Sequence, residues 1–327
     1  MKQIGTFYVA AGVAALGLSA AEAQTVLKVG LIDPPAHIDV KASEMLAEKV
    51  AEATDGAVTM EIYPAAQLGF ANDMLSGMRL GTVEMFVGAT TWLGAFDKDW
   101  WISGTPYVFN NQDQARTVHE SELFQGLADK LAEEQGIRVL VQNWDRGPRN
   151  FIATEPVETI DDLSGLKIRV PPQDSWIQNF ELAGAAPVPM PLSETFTGLQ
   201  QGIVTATEQA SNWLYANKYH TIAENLTRTG HNYEETGVMI AEPVWQSLTT
   251  EQQDAIMSAA EEISSWHNEQ LVTEIEGAEQ AMADEGVNVL DVDVEKWKSQ
   301  FRENFDQVAT SVGYSSDLVE DLKSQWD

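Results

Sequence analysis

The chain of 327 residues has no cysteine. That absence excludes a disulfide framework, thiol catalysis and thiolate metal ligands together, so the fold has to stand on packing. Positive charge is scarce, with 19 lysines and arginines against 50 aspartates and glutamates and a formal net charge of −31. Such a balance marks a solvated acidic surface and argues against nucleic-acid or anionic-membrane partners. It also repels small anions outside the ~10 Å over which 0.1 M salt screens charge, so an anionic ligand would depend on local cations. After the first residues no segment approaches the roughly 20 apolar residues of a membrane-spanning helix, because the longer helical patterns are amphipathic. Enzyme signatures are missing too: there is no G-x-S-x-G elbow, no H-E-x-x-H and no phosphate-cradling glycine loop. The five histidines, His37, His119, His220, His231 and His267, are widely scattered. No catalytic residue, metal site or cofactor is indicated, and among 50 carboxylates no particular acid/base pair is informative.

What is present begins with Met1-Lys2, an apolar run from Thr6 to Leu18 and the small residues Ala21-Glu22-Ala23. A positive start, a short apolar stretch and an A-x-A site are the marks of a secretory signal, so residues 1–23 are expected to be removed and the mature chain to begin near Gln24. The remainder is long enough for two lobes, and a hydrophobic content of 44% is ordinary for packed cores.

Strand and helix patterns alternate from there. Thr25–Leu31 reads as a strand, His37–Thr54 as a helix with Val40, Leu46 and Val50 on one stripe, and Ala57–Ile62 as a second strand after an Asp55-Gly56 turn. A helix over 70–80, a strand over Val83–Val87, a helix over 111–135 and a strand over Arg138–Val141 follow. From Phe151 the pattern restarts, with strands near Phe151–Thr154, Leu166–Val170, Ala186–Val188, Val204–Thr207 and Val238–Ala241, and helices at 173–183 and 193–201. This alternation predicts an α/β fold of two lobes, each a mostly parallel sheet flanked by helices. Without a flexible tether, the chain must cross between lobes several times. Thr249-Thr250-Glu251-Gln252 forms a capping box ahead of a helical pattern running to Glu285-Gly286. One helix of that length would span roughly 54 Å and bridge the lobes; two helices broken near Asn268 or Gly277 would not. The expected division is 24–146 with 235–274 as the first lobe, and 147–234 with 275–327 as the second.

One residue stands out chemically. Arg169 sits between Ile168 and Val170 in a strand that Pro171 ends, so it points away from its apolar neighbours. An arginine at a sheet's mouth offers a rigid, permanently charged fork matching a carboxylate. A structural ion pair with one of the many acids fits the same pattern.

The surrounding stretch carries a resemblance. Asp162-Leu163-Ser164-Gly165-Leu166-Lys167-Ile168-Arg169-Val170-Pro171, then Gly184-Ala185-Ala186-Pro187-Val188-Pro189-Met190, Ser193-Glu194-Thr195-Phe196 and Leu199-Gln200-Gln201-Gly202 resemble the signature of DctP-type solute-binding proteins of tripartite ATP-independent periplasmic (TRAP) transporters. Pro64-Ala65-Ala66-Gln67-Leu68-Gly69, the run Gly77 to Met85 and Thr105-Pro106-Tyr107-Val108-Phe109 extend the match over nearly the whole mature chain. The resemblance implies a two-lobed periplasmic binding protein, not an enzyme, that takes a small organic-acid anion and docks on a membrane permease. It places the ligand's carboxylate on Arg169, with Arg149 as a second arginine. Gln209 stands where the family has a pocket asparagine, one methylene longer, and Thr205 replaces a usual aspartate. Glu208-Gln209 lacks the tryptophan with which a 2-oxoacid-binding branch helps hold a metal, and Leu192 stands where sialic-acid binders carry an aromatic residue. His37, Thr90, Thr91, Trp144 and Trp213 fall in loops or strand ends facing the family's cleft, where they could meet hydroxyls or an apolar ligand face. A carboxylate clamp among amide, hydroxyl and indole groups suits sugar acids such as uronates or aldonates first, then C4-dicarboxylates, other hydroxy acids or ectoine-like zwitterions.

Overall fold

A computed structural model describes residues 24–326. The expected signal segment, 1–23, lies outside the described residues.

The chain opens with β1 (Thr25–Gly30), α1 (Ile38–Ala53), β2 (Val58–Tyr63), α2 (Ala71–Leu80) and β3 (Met85–Ala89). Asp55 and Gly56, both left-handed, make the turn between α1 and β2. Two short 3-10 segments, Thr90–Ala95 and Lys98–Gly104, lead to α3 (Gln112–His119) and α4 (Glu122–Gln135). The single helix expected over 111–135 is therefore two. Buried His119 ends α3, its ring packed 4.6 Å from Phe124 and its Nε2 3.1 Å from Ser103 Oγ, and these tertiary contacts override the local helical pattern.

Next comes β4 (Ile137–Ala153), seventeen residues long. The strand expected to end at Val141 continues through Gly147-Pro148 to Ala153, with three register shifts against its partner. Pro148 lies at one of these shifts, where a residue without an N–H is tolerated. Beyond it are β5 (Lys167–Val170), α5 (Asp174–Leu182), β6 (Ala186–Pro189), α6 (Thr195–Gln200), β7 (Ala206–Ala210), α7 (Ser211–Ala216) and β8 (Asn225–Arg228). The chain returns through β9 (Tyr233–Ala241), α8 (Glu242–Ser247), α9 (Thr250–Asp284), β10 (Asn288–Asp291), α10 (Val294–Glu303), α11 (Phe305–Val312) and α12 (Ser316–Ser324). The long helix is one unbroken element of 35 residues, and Thr249 and Gln252 form the capping box at its start.

The strands run in the order β2-β1-β3-β9-β4-β7-β5-β6, with β8 and β10 attached beside β4. Pairings β1–β2, β1–β3, β5–β6, β5–β7 and β8–β10 are parallel. Antiparallel pairing enters where β4 and β9 join the two halves. The first half of β4 pairs with β9 and the second with β7 and β8, so one strand serves both lobes.

Cores follow the same division. Two apolar clusters, one around Trp100 and Phe124 and one around Leu27, Val87 and Trp144, flank the first sheet. Two others, around Phe151 and Trp176 and around Leu226 and Met282, flank the second. The long helix contributes Ile256 and Ile263 to the first half and Met282 to the second. Trp297 and Phe301 pack in the second half, with Phe151 and Trp176. From Phe305 to Leu322, however, the chain packs in the cluster around Trp100, so α11 and α12 lie on the first lobe.

Candidate functional site

A small cavity of about 40 Å³ lies between the halves, lined by residues of both. Arginines 146, 149 and 169 reach it from β4 and β5, with Thr91 and Trp92 from the segment after β3, Gln209 from β7 and Glu234 from β9. Arg146 and Arg149 share a side although three residues apart, because Asp145 pairs with Glu235 but Pro148 with Tyr233. The extra residue of that bulge resets the alternation.

Arg149 is buried and its guanidinium is committed. Nε and Nη2 donate to the two carboxylate oxygens of Glu208 at 2.5 and 2.6 Å, and Nη1 donates to Glu234 Oε2 at 2.5 Å. Thr91 Oγ1 donates to the other oxygen of Glu234 at 2.8 Å, and Trp176 Nε1 to Glu208 at 3.2 Å. Burial alone would raise the Glu208 pKa, but the charge of Arg149 and the neighbouring His231 outweigh it and hold the carboxyl at about 2. Burial likewise works against the charge on Arg149, yet the two glutamates carry its pKa above the ordinary value.

Arg146 is engaged in a second cluster. Its Nη1 donates to Asp39 Oδ2 at 3.0 Å and to Thr236 Oγ1 at 2.7 Å, and its Nη2 lies 3.7 Å from Asp33 Oδ1. His267 Nε2 approaches the other oxygen of Asp39 at 2.8 Å. Burial opposes the charge on Asp39, but His37, His267 and Arg146 together lower its pKa. Asp33, His37 and Asp39 bring their ligand atoms within 4.8 Å of one another, a set able to hold an ion. The Arg146 guanidinium already stands against both aspartates there.

Arg169 is different. It is 2% exposed, its Nε donates to the Met190 carbonyl at 3.0 Å, and among the described residues no carboxylate lies within ion-pair distance. Burial lowers its pKa to about 10, with Glu208 pulling weakly the other way, so it is a cation at neutral pH. A buried charge with one neutral partner is costly, and Arg169 lines the cavity.

The other expected residues divide. Gln209 lines the cavity, its Oε1 accepting from Ala210 N at 3.3 Å, and Thr91 lines it while holding Glu234. Trp213 borders a neighbouring chamber of about 270 Å³ that shares Ile32 and Leu192 with the cavity. Its Nε1 donates to Asp33 Oδ1 at 3.2 Å, from one lobe to the other. His37 caps α1, accepting from Asp39 N at 3.2 Å, and reaches the site only through the aspartates. Thr90 and Trp144 do not line the cavity: Thr90 Oγ1 lies 3.3 Å from His119 Nε2 in the first lobe, and Trp144 stacks on His267 in its core. Glu208, Glu234, Asp33 and Asp39 are buried charges, and Arg146 and Gln173 lining residues, that the sequence alone does not single out. Of these, Glu208 adjoins Gln209 and Arg146 lies three residues before Arg149; the others have no local signal.

A larger groove of about 680 Å³ lies between α3 and α9, bordered by Gln112, Arg116 and Asp145. Asp145 takes Arg116 bidentately at 2.9 and 2.5 Å, so this groove offers an anion no unengaged arginine.

Residues 29–312 match the model of the bacterial extracellular solute-binding protein family 7, DctP. The chain belongs to that family. This family 7 protein is 28% identical to the sialic acid-binding periplasmic protein SiaP of Vibrio cholerae, over 92% of this chain and 94% of that one. It is 31% identical to the C4-dicarboxylate-binding periplasmic protein DctP of Rhodobacter capsulatus, over 78% and 75%. A solved TRAP periplasmic solute-binding protein from Chromohalobacter salexigens, with bound D-glucuronate, superposes with a TM-score of 0.86 at 26% identity, covering 91% of this chain and 99% of that one. Family 7 proteins are substrate-binding components of TRAP transporters, and in this member no helix among the described residues is long and apolar enough to cross a membrane.

Proposed function

We propose that the chain is the exported, periplasmic binding subunit of a TRAP transporter, and that it holds a small organic-acid anion between the lobes, across the cavity at Arg169 and the adjoining chamber of about 270 Å³, and delivers it to a membrane permease. A sugar acid, uronate or aldonate, is the favoured ligand. The observation carrying this reading is Arg169, a buried guanidinium lining the cavity with no carboxylate partner among the described residues. A ligand carboxylate completes it, and closure strengthens the pair by excluding water. The D-glucuronate of the Chromohalobacter protein supports the sugar-acid class. The Rhodobacter relative favours a C4-dicarboxylate, but a second carboxylate needs a second free cation, and Arg146 and Arg149 are taken. Binding rather than turnover fits the same ledger, since both oxygens of Glu208 and of Glu234 are held by donors and neither offers a free acid or base.

A thermal-shift screen against organic acids tests this. A ligand at 100 times its Kd stabilises the native state by about 2.7 kcal/mol, so at least one monocarboxylic sugar acid should raise the melting temperature by several degrees. A shift produced by neutral sugars and by none of the acids would sink the carboxylate reading.

A further inference from the structure

We infer that Gln173 is a specificity-determining residue that accepts a hydrogen bond from a hydroxyl group of the bound acid; this rests on the carboxylate reading of Arg169. Gln173 follows Arg169 by four positions, immediately before α5. It occupies the capping position of that helix, yet its side chain caps nothing. The residue is 5% exposed, it lines the inter-lobe cavity, and its Oε1 has no hydrogen-bond partner.

The other side-chain acceptors of the cavity are met. Glu234 takes Thr91 on one oxygen and Arg149 on the other, and Gln209 Oε1 takes the Ala210 amide. Glu208, just behind, is saturated by Arg149 and Trp176. The cavity thus presents one guanidinium with no carboxylate partner among the described residues, a site for an anion, and one unengaged buried amide oxygen, a site for a donor. A buried acceptor left unmet is unfavourable, so the ligand that fits both carries a carboxylate and a hydrogen-bond donor, which in a sugar acid is an O–H. A carboxylate has no proton to donate at neutral pH. An unsubstituted dicarboxylate or fatty acid would satisfy Arg169 and leave Gln173 unmet, whereas a hydroxylated acid satisfies both. Selection against analogues lacking a hydrogen-bonding group is the strong form of discrimination, because the site's own polar atom is stranded by the wrong ligand.

The test is calorimetric titration of D-glucuronate, D-galacturonate and L-gulonate, alongside the hydroxyl-free succinate and hexanoate, into wild type, Gln173→Met and Arg169→Ala. Wild type should bind at least one hydroxylated acid about a hundredfold more tightly than either hydroxyl-free acid. Gln173→Met, which keeps the length and removes the amide, should weaken that acid by roughly ten- to a hundredfold and leave hydroxyl-free acids within threefold. If melting shows Gln173→Met misfolded, Gln173→Ala replaces it. Equal weakening of both classes, or no weakening beyond threefold, overturns the role of Gln173, as does tighter binding of succinate than of every hydroxylated acid. Should Arg169→Ala keep its affinity while Gln173→Met loses it, the carboxylate assignment fails and the hydroxyl assignment stands. Absence of binding by wild type to all these acids overturns both.

Discussion

Replacing Arg149 and Arg169 one at a time separates two jobs that look alike in sequence. Arg149→Ala leaves Glu208 and Glu234 buried without their shared cation. The Glu208 pKa, ordinarily 4.5 and held at about 2, corresponds to about 3 kcal/mol in favour of the charged form. Stranding buried partners in this way typically costs about 3–5 kcal/mol. At about 2.1 cal/mol/K of unfolding entropy per residue, a chain of this size would melt roughly 5–8 °C lower. Because the Glu208 pKa is depressed, its contribution is full above pH 4.5 and is lost as pH falls toward 2, so the deficit of Arg149→Ala should shrink below pH 4.5. Arg169→Ala strands no protein carboxylate and removes a charge that burial disfavours, so the unliganded protein should melt within about 2 °C of wild type, the hydrogen bond to Met190 being worth about 1 kcal/mol. Its ligand affinity should instead fall by at least roughly a hundredfold, while Arg149→Ala should lose less. Calorimetric melting of both variants without ligand, followed by titration with the acid found in the screen, checks the split. The reasoning is refuted if Arg169→Ala melts as low as Arg149→Ala, or if Arg149→Ala melts like wild type.

Three further outcomes follow from the same geometry. Glu235 is fully buried opposite Asp145, with Gln112 on one oxygen, Arg116 and Glu120 nearby, and no partner for the other oxygen. Burial first, and Asp145 second, raise its pKa, so its stabilising contribution is full below pH 4.5 and fades as pH climbs through the folded value; Glu235→Gln should therefore gain on wild type as pH rises from 5 to 8.5 in urea unfolding. Trp213→Phe removes the indole donor to Asp33 and should weaken ligand binding by roughly ten- to a hundredfold in titration, about 1.5–3 kcal/mol for a hydrogen bond to a charged group, with a smaller change in melting. In Gly104→Ala the added methyl runs into the Trp176 ring, which stacks against Arg149 and donates to Glu208; overpacking of that kind costs about 1–3 kcal/mol, seen as a lower melting temperature.

How far the sequence could be read depended on the range of the interactions. Local signals were legible: the capping box at Thr249, the left-handed turn at Asp55-Gly56, the strand bearing Arg169 and the alternation that makes the fold α/β. Arg169 was legible because its strand neighbours are apolar. Its contrast with Arg149 was not, because the partners of Arg149 lie 59 and 85 residues away among 50 acids of which any could have served. The continuity of β4 was hidden by Gly147-Pro148, since a bulge and a strand break use the same residues. The strand β9 reads as beginning at Val238 because Glu234, Glu235 and Thr236 are polar; they are nevertheless buried, each hydrogen-bonded to a group distant in sequence. The docking of α11 and α12 back on the first lobe had no local signature at all.

The chain passes between its halves along β4, before β9, along α9 and at the short step from Phe301 to Phe305. A protease that cut any one of these passages would leave the others intact. The nicked protein should therefore migrate as one particle on a sizing column and come apart only in denaturant. In the same way, a reporter inserted at a single passage would report bending without severing the two halves.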